Sequence, residues 1–293
     1  DEATNWGSNR YNFLSLDTND PLSAGSGAYY FRLPLLSLGG PMDLRFDLFY
    51  RSTDFQQMTP TSPGDLPFSF WWRPKVTGGL SGSLATFQLP DANLVSFKKV
   101  GTNWVLAGPT EAGLQDNGSP VIFALKETSG FYYLMDPVEE RIYIFQKFGS
   151  GGRTLRIIRV LDRNGNQLIY SYAKATDTNP SRIEDGLGRR LDLRYGSSVT
   201  VTDQGGRQVV VSENEVTDAL KQKTTFTNIE EGVMERVTLP RGNTPYTQAY
   251  PTVYVNLNGK DSIRPISQQD ASGNTTTLQY DTCLLYTSDA ADE

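Results

Sequence analysis

The sequence predicts an all-β protein built from antiparallel β-hairpin repeats, and three observations predict it. A turn phrase, Asp-x-x-Gly-[Asn/Arg], returns through the second half of the chain. Its copies begin at Asp162, Asp185, Asp203 and Asp270, with a looser one at Pro240-Arg-Gly242-Asn243. Each phrase is followed by residues that alternate apolar and polar, the period of a half-buried strand. Sustained helical periodicity is almost absent from the 293 residues. Recurrence of a turn and strand in fixed order marks an array, in which each hairpin is marginal alone and leans on its neighbours.

Residues 1–150 form an aromatic-rich β region without regular repetition. The alternation places strands at Ala28–Leu35, Asp43–Tyr50, Phe68–Val76, Ala85–Leu89, Leu94–Lys99, Trp104–Ala107, Val121–Lys126, Phe131–Met135 and Arg141–Phe148. Gly and Pro punctuate them at Gly39-Gly-Pro41, Ser62-Pro-Gly64, Gly78-Gly79, Leu89-Pro-Asp91 and Asn117-Gly118. Trp71 and Trp72 are adjacent, so in a strand one faces the core and the other faces away.

Residues 151–282 are the repeat array. In the first copy Asp162, Gly165 and Asn166 make the turn, and Leu168, Tyr170 and Tyr172 share the following strand face. The second copy pairs Asp185, Gly188 and Arg189 with Leu191, Leu193 and Tyr195. The third, Asp203, Gly206 and Arg207, runs into Val209-Val210-Val211 and lacks a closing Tyr. The fourth, Asp270, Gly273 and Asn274, ends on Tyr280. Asp and Asn side chains bond nearby backbone, and Gly supplies the positive φ of the turn. Spacing between the copies is uneven. The stretch Val211 to Met234 is polar and carries no clear turn phrase, with Thr217–Gln222 expected as a short helix or inserted loop. Asn258-Gly259 marks another hairpin between Val253–Leu257 and Ser262–Ile266.

Composition removes whole classes of chemistry. There is no histidine, so the Ser-His-Asp triad, the Cys-His pair and the usual His-based zinc sites have no members. The single cysteine, Cys283, supports neither a disulfide framework nor a Cys-based zinc site. Carboxylate pairs of the kind glycosidases use exist at Glu139 with Glu140, Glu184 with Asp185, and Glu230 with Glu231. Each pair is adjacent in sequence, so a strand sends its members to opposite faces, and the expectation is no enzyme, no cofactor and no metal. Asp162-Arg-Asn164-Gly165 is too short for a calcium loop. Asp177-Thr-Asn179 and Asp17-Thr-Asn19-Asp20 could offer oxygens to calcium in an extracellular setting, but such clusters are more often side-chain-capped turns. Gly149-Ser-Gly-Gly152 lacks the Lys-[Ser/Thr] ending of a phosphate loop.

A net charge of −6 argues against nucleic acid as a partner. The basic pairs Lys98-Lys99 and Arg189-Arg190 read as solvated faces. No run of about 18 apolar residues exists to span a membrane as a helix.

At these residues the chain resembles the Rhs/YD-repeat family of large bacterial β-proteins. The carrying segments are Asp162-Arg-Asn-Gly-Asn-Gln-Leu-Ile-Tyr-Ser-Tyr172, preceded by Gly152-Arg-Thr-Leu and Ile158-Arg-Val-Leu-Asp162. Upstream, Asp20-Pro-Leu-Ser-Ala-Gly-Ser-Gly-Ala-Tyr-Tyr30, Leu36-Ser-Leu-Gly-Gly-Pro41, Leu44-Arg-Phe-Asp-Leu-Phe-Tyr-Arg-Ser52 and Tyr132-Tyr-Leu-Met-Asp-Pro137 are similar to successive family segments, so the likeness covers roughly 17 to 281. The resemblance implies a β-ribbon spiralling into a hollow shell around a C-terminal toxin, secreted by a bacterium or held at its surface. Its implied partners are the C-terminal remainder of the same polypeptide, with secretion machinery or a cell-surface glycan beyond it. The competing expectation is an exported adhesion module that binds a surface or a carbohydrate. An open piece of such a shell is expected to dissolve poorly, because its inner face and last strand edge are bare.

The last residues, 283–293, break the repeat in mid-phrase after Tyr280-Asp281 and resemble a translated sequencing adapter. They are expected to be a non-native tail on a truncated gene, and are set aside from the fold prediction.

Overall fold

The computed structural model describes residues 22, 29–52, 71–73, 75–90, 94–107, 123–149, 151–212, 214–228, 233–250, 255–257, 260–262, 264–280 and 285–287. It is all-β, with 25 strands among the described residues. Nineteen of them form one antiparallel, hairpin-connected sheet that does not close.

That sheet starts with a meander of β4 (Thr77–Ser81), β5 (Leu84–Gln88), β6 (Leu94–Val100) and β7 (Asn103–Leu106). A second, longer meander begins at β8 (Ala124–Thr128), β9 (Phe131–Asp136) and β10 (Arg141–Phe148). It continues through β11 (Thr154–Asp162), β12 (Gln167–Ser171), β13 (Arg182–Asp185), β14 (Arg190–Tyr195), β15 (Val199–Asp203) and β16 (Gln208–Val211). Then come β17 (Glu215–Thr217), β18 (Lys223–Asn228), β19 (Met234–Thr238) and β20 (Tyr246–Ala249). A separate hairpin of β21 (Val255–Leu257) and β22 (Lys260–Ser262) is looped out, so β20 pairs directly with β23 (Ser267–Asp270). The nineteenth strand is β24 (Thr275–Tyr280), against which the short β25 (Leu285–Thr287) pairs at Leu278–Tyr280.

The two meanders are joined at β11. One edge of this strand serves two partners, β4 against Thr154–Arg156 and β12 against Arg159–Leu161. Gly78 permits it: a Cβ there would stand 3.0 Å from both Leu155 Cβ and Phe87 Cδ1. Sequence reading took Gly78-Gly79 as punctuation, whereas these residues lie inside β4, because a strand that must approach a neighbour closely needs the missing side chain. The boundary drawn at 150/151 falls in the β10–β11 connection, and the ladder between these strands spans Arg141–Phe148 and Thr154–Asp162.

Residues 29–52 and 71–73 form a second layer. β1 (Tyr30–Ser37), β2 (Arg45–Arg51) and β3 (Trp71–Arg73) make a three-stranded sheet in that order. Phe46, Asp47, Leu48, Phe49 and Tyr50 are all buried, so β2 is covered on both faces. Its apolar side and that of the array belong to one core cluster, which includes Leu44, Phe46, Leu48 and Tyr50 with Ile183, Leu191, Val201, Val209 and Val237. Burying one such side chain contributes about 1.5–3 kcal/mol. The face of the array expected to be bare is therefore covered along this stretch by the chain's own N-terminal sheet. The buried Asp47 carboxylate is paired with Arg32 at 3.1 Å and Arg45 at 3.6 Å.

All nine strands expected before residue 150 have counterparts; of Phe68–Val76, residues 68–70 and 74 lie outside the described residues and Trp71–Arg73 is strand. The side chains of Trp71 and Trp72 lie outside the described residues, as do Asp17–Asp20, Asn117-Gly118, Glu230, Glu231 and Asn258-Gly259.

Candidate functional site

The recurring phrase is one structural device, and its geometry is the same in every copy. In the first, Asp162 N–H donates to the Asn166 carbonyl at 3.0 Å and Gly165 N–H to the Asp162 carbonyl at 3.2 Å. One oxygen of the Asp162 carboxylate accepts from the backbone N–H groups of Asn164 and Asn166, both at 2.8 Å. The other accepts from the Asn166 side chain at 2.7 Å. Asp185 does the same with Leu187 N–H, Arg189 N–H and Arg189 Nε. Asp203 takes Gly205 N–H, Arg207 N–H and Arg207 Nε, and Asp270 takes Ser272 N–H, Asn274 N–H and the Asn274 amide. Gly165, Gly188, Gly206 and Gly273 all hold φ between 78° and 89°. Hydrogen bonds from the Asn side chain and the turn backbone hold the Asp162 and Asp270 carboxyls below the ordinary carboxylate range.

Two more turns of this kind fill the long gap between Asp203 and Asp270. Asp218-Ala-Leu-Lys221-Gln222 has the same bracket: the Asp218 carboxylate accepts from Leu220 N–H and Gln222 N–H at 2.8 Å each. Lys221 occupies the glycine position at φ 64°. The expectation of a short helix or insertion at Thr217–Gln222 is thus corrected to a hairpin turn. Lys in place of Gly hid the motif, since the backbone tolerates a strained residue once both flanking strands are paired. At Leu239-Pro-Arg-Gly242-Asn243 the backbone turn persists, with Leu239 N–H on the Asn243 carbonyl at 2.9 Å, but Leu replaces the carboxylate.

Around Asp162, Asp185 and Asp203 the residues two before and six and eight after are buried: Val160, Leu168 and Tyr170; Ile183, Leu191 and Leu193; Val201, Val209 and Val211. The Asp218 turn repeats this with Val216, Thr224 and Phe226. The Asp270 copy departs from it, with Gln268 and Leu278 buried but Thr276 exposed. The closing tyrosines do a further job that alternation alone did not predict. Tyr172 O–H donates to the Ile157 carbonyl at 2.6 Å and Tyr195 O–H to the Pro180 carbonyl at 2.7 Å, each 15 residues upstream. Tyr250 O–H reaches the Met234 carbonyl at 3.0 Å. The strand of Tyr280 is present, and its side chain lies outside the described residues.

The Asn-or-Arg choice at the fifth turn position follows what touches the turn. Asn166 and Asn274 close on their own Asp. Arg189 and Arg207 hold their Asp at 2.6 Å and extend to the connection between β1 and β2. Arg189 Nη1 donates to the Leu38 carbonyl at 3.0 Å and Arg207 Nη2 to the Ser37 carbonyl at 3.2 Å. Gly40 sits against the Arg189 guanidinium so closely that any Cβ would land on it. Arg189 is therefore a latch rather than the solvated charge that Arg189-Arg190 suggested. Beyond the latch, Tyr50 O–H accepts from Met234 N–H at 3.0 Å, and Phe31 meets Phe226 edge-on at 6.0 Å.

One side-chain cluster was missed altogether in the sequence. The Glu127 carboxylate accepts from Lys99 Nζ at 2.8 Å, Trp104 Nε1 at 3.1 Å and Tyr132 O–H at 2.7 Å. Burial pushes its pKa upward, but the hydrogen bonds from Lys99, Tyr132 and Trp104 outweigh that and bring it down to about 2. The cluster ties the β6–β7 hairpin to the β8–β9 hairpin. Its members are far apart in sequence and share no motif, so only folding assembles them.

Among the described residues, Glu139 with Glu140 and Glu184 with Asp185 are not brought together into a cleft. Asp185 is buried in its turn while Glu184 lies on the opposite face, in register with Ile169. Glu139 and Glu140 occupy the turn held by Asp136, whose carboxylate accepts from Val138 N–H and Glu139 N–H. Asp177 caps a turn by accepting from Lys174 N–H at 2.8 Å. Among the described residues no group of three or more His, Cys, Asp or Glu side chains is placed to hold a metal ion, and no helix is long and apolar enough to cross a membrane. In these interactions carboxylates lock turns, tyrosines hold strand ends, and arginines fasten one layer to the other. No known protein family matches the chain, and neither does any curated protein.

Proposed function

We propose that this chain is a non-catalytic scaffold, the opening part of an Rhs/YD-repeat-like β-shell that encloses and helps deliver a C-terminal toxin of the same polypeptide. The observation that carries the reading is the identity of the bracketed turns along one continuous sheet. An array whose turns are locked by their own side chains can be lengthened unit by unit without redesign, which is what enclosing a large volume requires. The buried face also fits: strands β11 to β16 send a regular apolar row to one side, where the N-terminal sheet packs on it. Among the described residues, the turn carboxylates and Glu127 are engaged in hydrogen bonds that hold the fold. Secretion, or display at a bacterial surface, belongs to the same proposal.

The test is to sequence the source DNA through and beyond the codon for Thr282 with long reads. Many further Asp-x-x-Gly-[Asn/Arg] units leading into a short unrelated domain support the shell. A frame that runs instead into a surface anchor overturns it in favour of the adhesion module.

A further inference from the structure

The first repeat turn carries a chemistry that its sister turns lack. At its tip Asn164 is followed directly by Gly165, and both are exposed. The Asn164 side chain makes no hydrogen bond to any described residue, so its carboxamide carbon is open to attack. The nearest nucleophile is the Gly165 peptide nitrogen. Glycine has no Cβ to shield that nitrogen, and nothing stands within 4 Å of where a Cβ would be. In the other turns the position of Asn164 is taken by Leu187, Gly205, Leu220, Arg241 and Ser272, none of which has a carboxamide. Asp185-Gly186 is the nearest chemical relative. The Asp185 side chain, however, is buried and holds Leu187 N–H, Arg189 N–H and Arg189 Nε.

We infer that Asn164 is a site of spontaneous deamidation whose rate is governed by the Asp162 carboxylate. Attack of the Gly165 nitrogen on Asn164 Cγ forms a succinimide. The carboxamide nitrogen leaves as ammonia and takes up the proton of the Gly165 N–H. Water then opens the ring. Cleavage at Cγ gives aspartate, and cleavage at the main-chain carbonyl gives isoaspartate, which lengthens the backbone by a methylene. In the closed turn the attack is held back. Gly165 N–H is engaged with the Asp162 carbonyl at 3.2 Å, and the Asp162 carboxylate pins Asn164 N–H and Asn166 N–H at 2.8 Å each. The turn must open before the nitrogen swings onto Cγ, so the reaction runs through the locally opened population. Once isoaspartate has formed, its longer backbone no longer presents Asn166 N–H to the carboxylate, and the bracket stays open. This goes beyond the scaffold proposal and does not depend on it, because the turn alone makes the site.

The experiment is peptide mapping by mass spectrometry on the full chain held in mildly alkaline buffer, folded and in urea. Labelling with an isoaspartate methyltransferase separates the two products. The folded parent is expected to convert at Asn164, at least about tenfold more slowly than in urea, since hydrogen bonds to a charged group must first break. Asp162→Ala should raise the folded rate about tenfold. The Leu239 turn keeps its backbone hydrogen bonds without a carboxylate, so this variant is expected to retain its hairpin and an unchanged far-UV spectrum. Asp270→Ala opens a sister bracket elsewhere and should leave the Asn164 rate at the parent value. A folded parent that stays unmodified at Asn164 while the same residue converts in urea would overturn the inference. So would an Asp162→Ala variant that converts at the parent rate, or an Asp270→Ala variant that speeds Asn164 equally.

Discussion

Replacing Gly40 by alanine tests the latch between the two layers. Gly40 has φ 84°, and its missing side chain leaves the space in which the Arg189 guanidinium lies. An alanine there carries about 1–2 kcal/mol of left-handed backbone cost. It also displaces Arg189 from the Leu38 carbonyl, and a hydrogen bond involving a charged group contributes about 1.5–3 kcal/mol. Together the loss is about 2.5–5 kcal/mol, read as a fall in the urea midpoint at constant slope. Arg189→Asn keeps a side chain able to close on Asp185, as Asn166 does on Asp162, but cannot reach the β1–β2 connection. Alone it should lose only the latch. In the double variant the clash is gone, so Gly40→Ala adds just its backbone cost. The double variant should therefore be more stable than the sum of the singles predicts, by about 1.5–3 kcal/mol. Additivity within about 0.5 kcal/mol, the behaviour of independent sites, would refute the latch.

Lys221→Gly should stabilise the protein by about 0.5–1 kcal/mol, seen as a higher urea midpoint, because it relieves the positive φ at the glycine position of the hidden turn. Tyr172→Phe and Tyr195→Phe should each lose about 0.5–1.5 kcal/mol by leaving the Ile157 and Pro180 carbonyls without their donor. Glu127→Ala strands three donors and should lower stability by about 1–3 kcal/mol in the same unfolding assay. Acid should weaken the fold in a defined window. Asp162, Asp270 and Glu127 have folded pKa values below their ordinary ones, so their contribution is whole above the ordinary carboxylate range. It is lost as pH falls through that range toward about 2 for Glu127. Circular dichroism at decreasing pH checks the direction, and a Glu127→Gln variant should flatten the lowest part of the curve.

The sequence by itself determined the fold class, the four bracketed turns and the inward row of the first two repeats. These are local facts: an Asp carboxylate reaches N–H groups two and four residues on, and side chains alternate along a strand whatever lies beyond it. Where the local signal was degraded, as at Lys221 and Leu239, sequence reading lost or loosened the turn, because its backbone was upheld by pairing between strands rather than by residue type. Tertiary structure alone decided what the turns touch. Arg189 and Arg207 were legible as turn residues, yet their second role depends on carbonyls 151 and 170 residues away. The same holds for Glu127 with Lys99, and for Gly78 against Leu155, whose partners are set by the joining of two meanders at β11. Contacts made by chain distant in sequence leave no period or spacing behind, so the layer that covers the array became visible only when it was folded onto it.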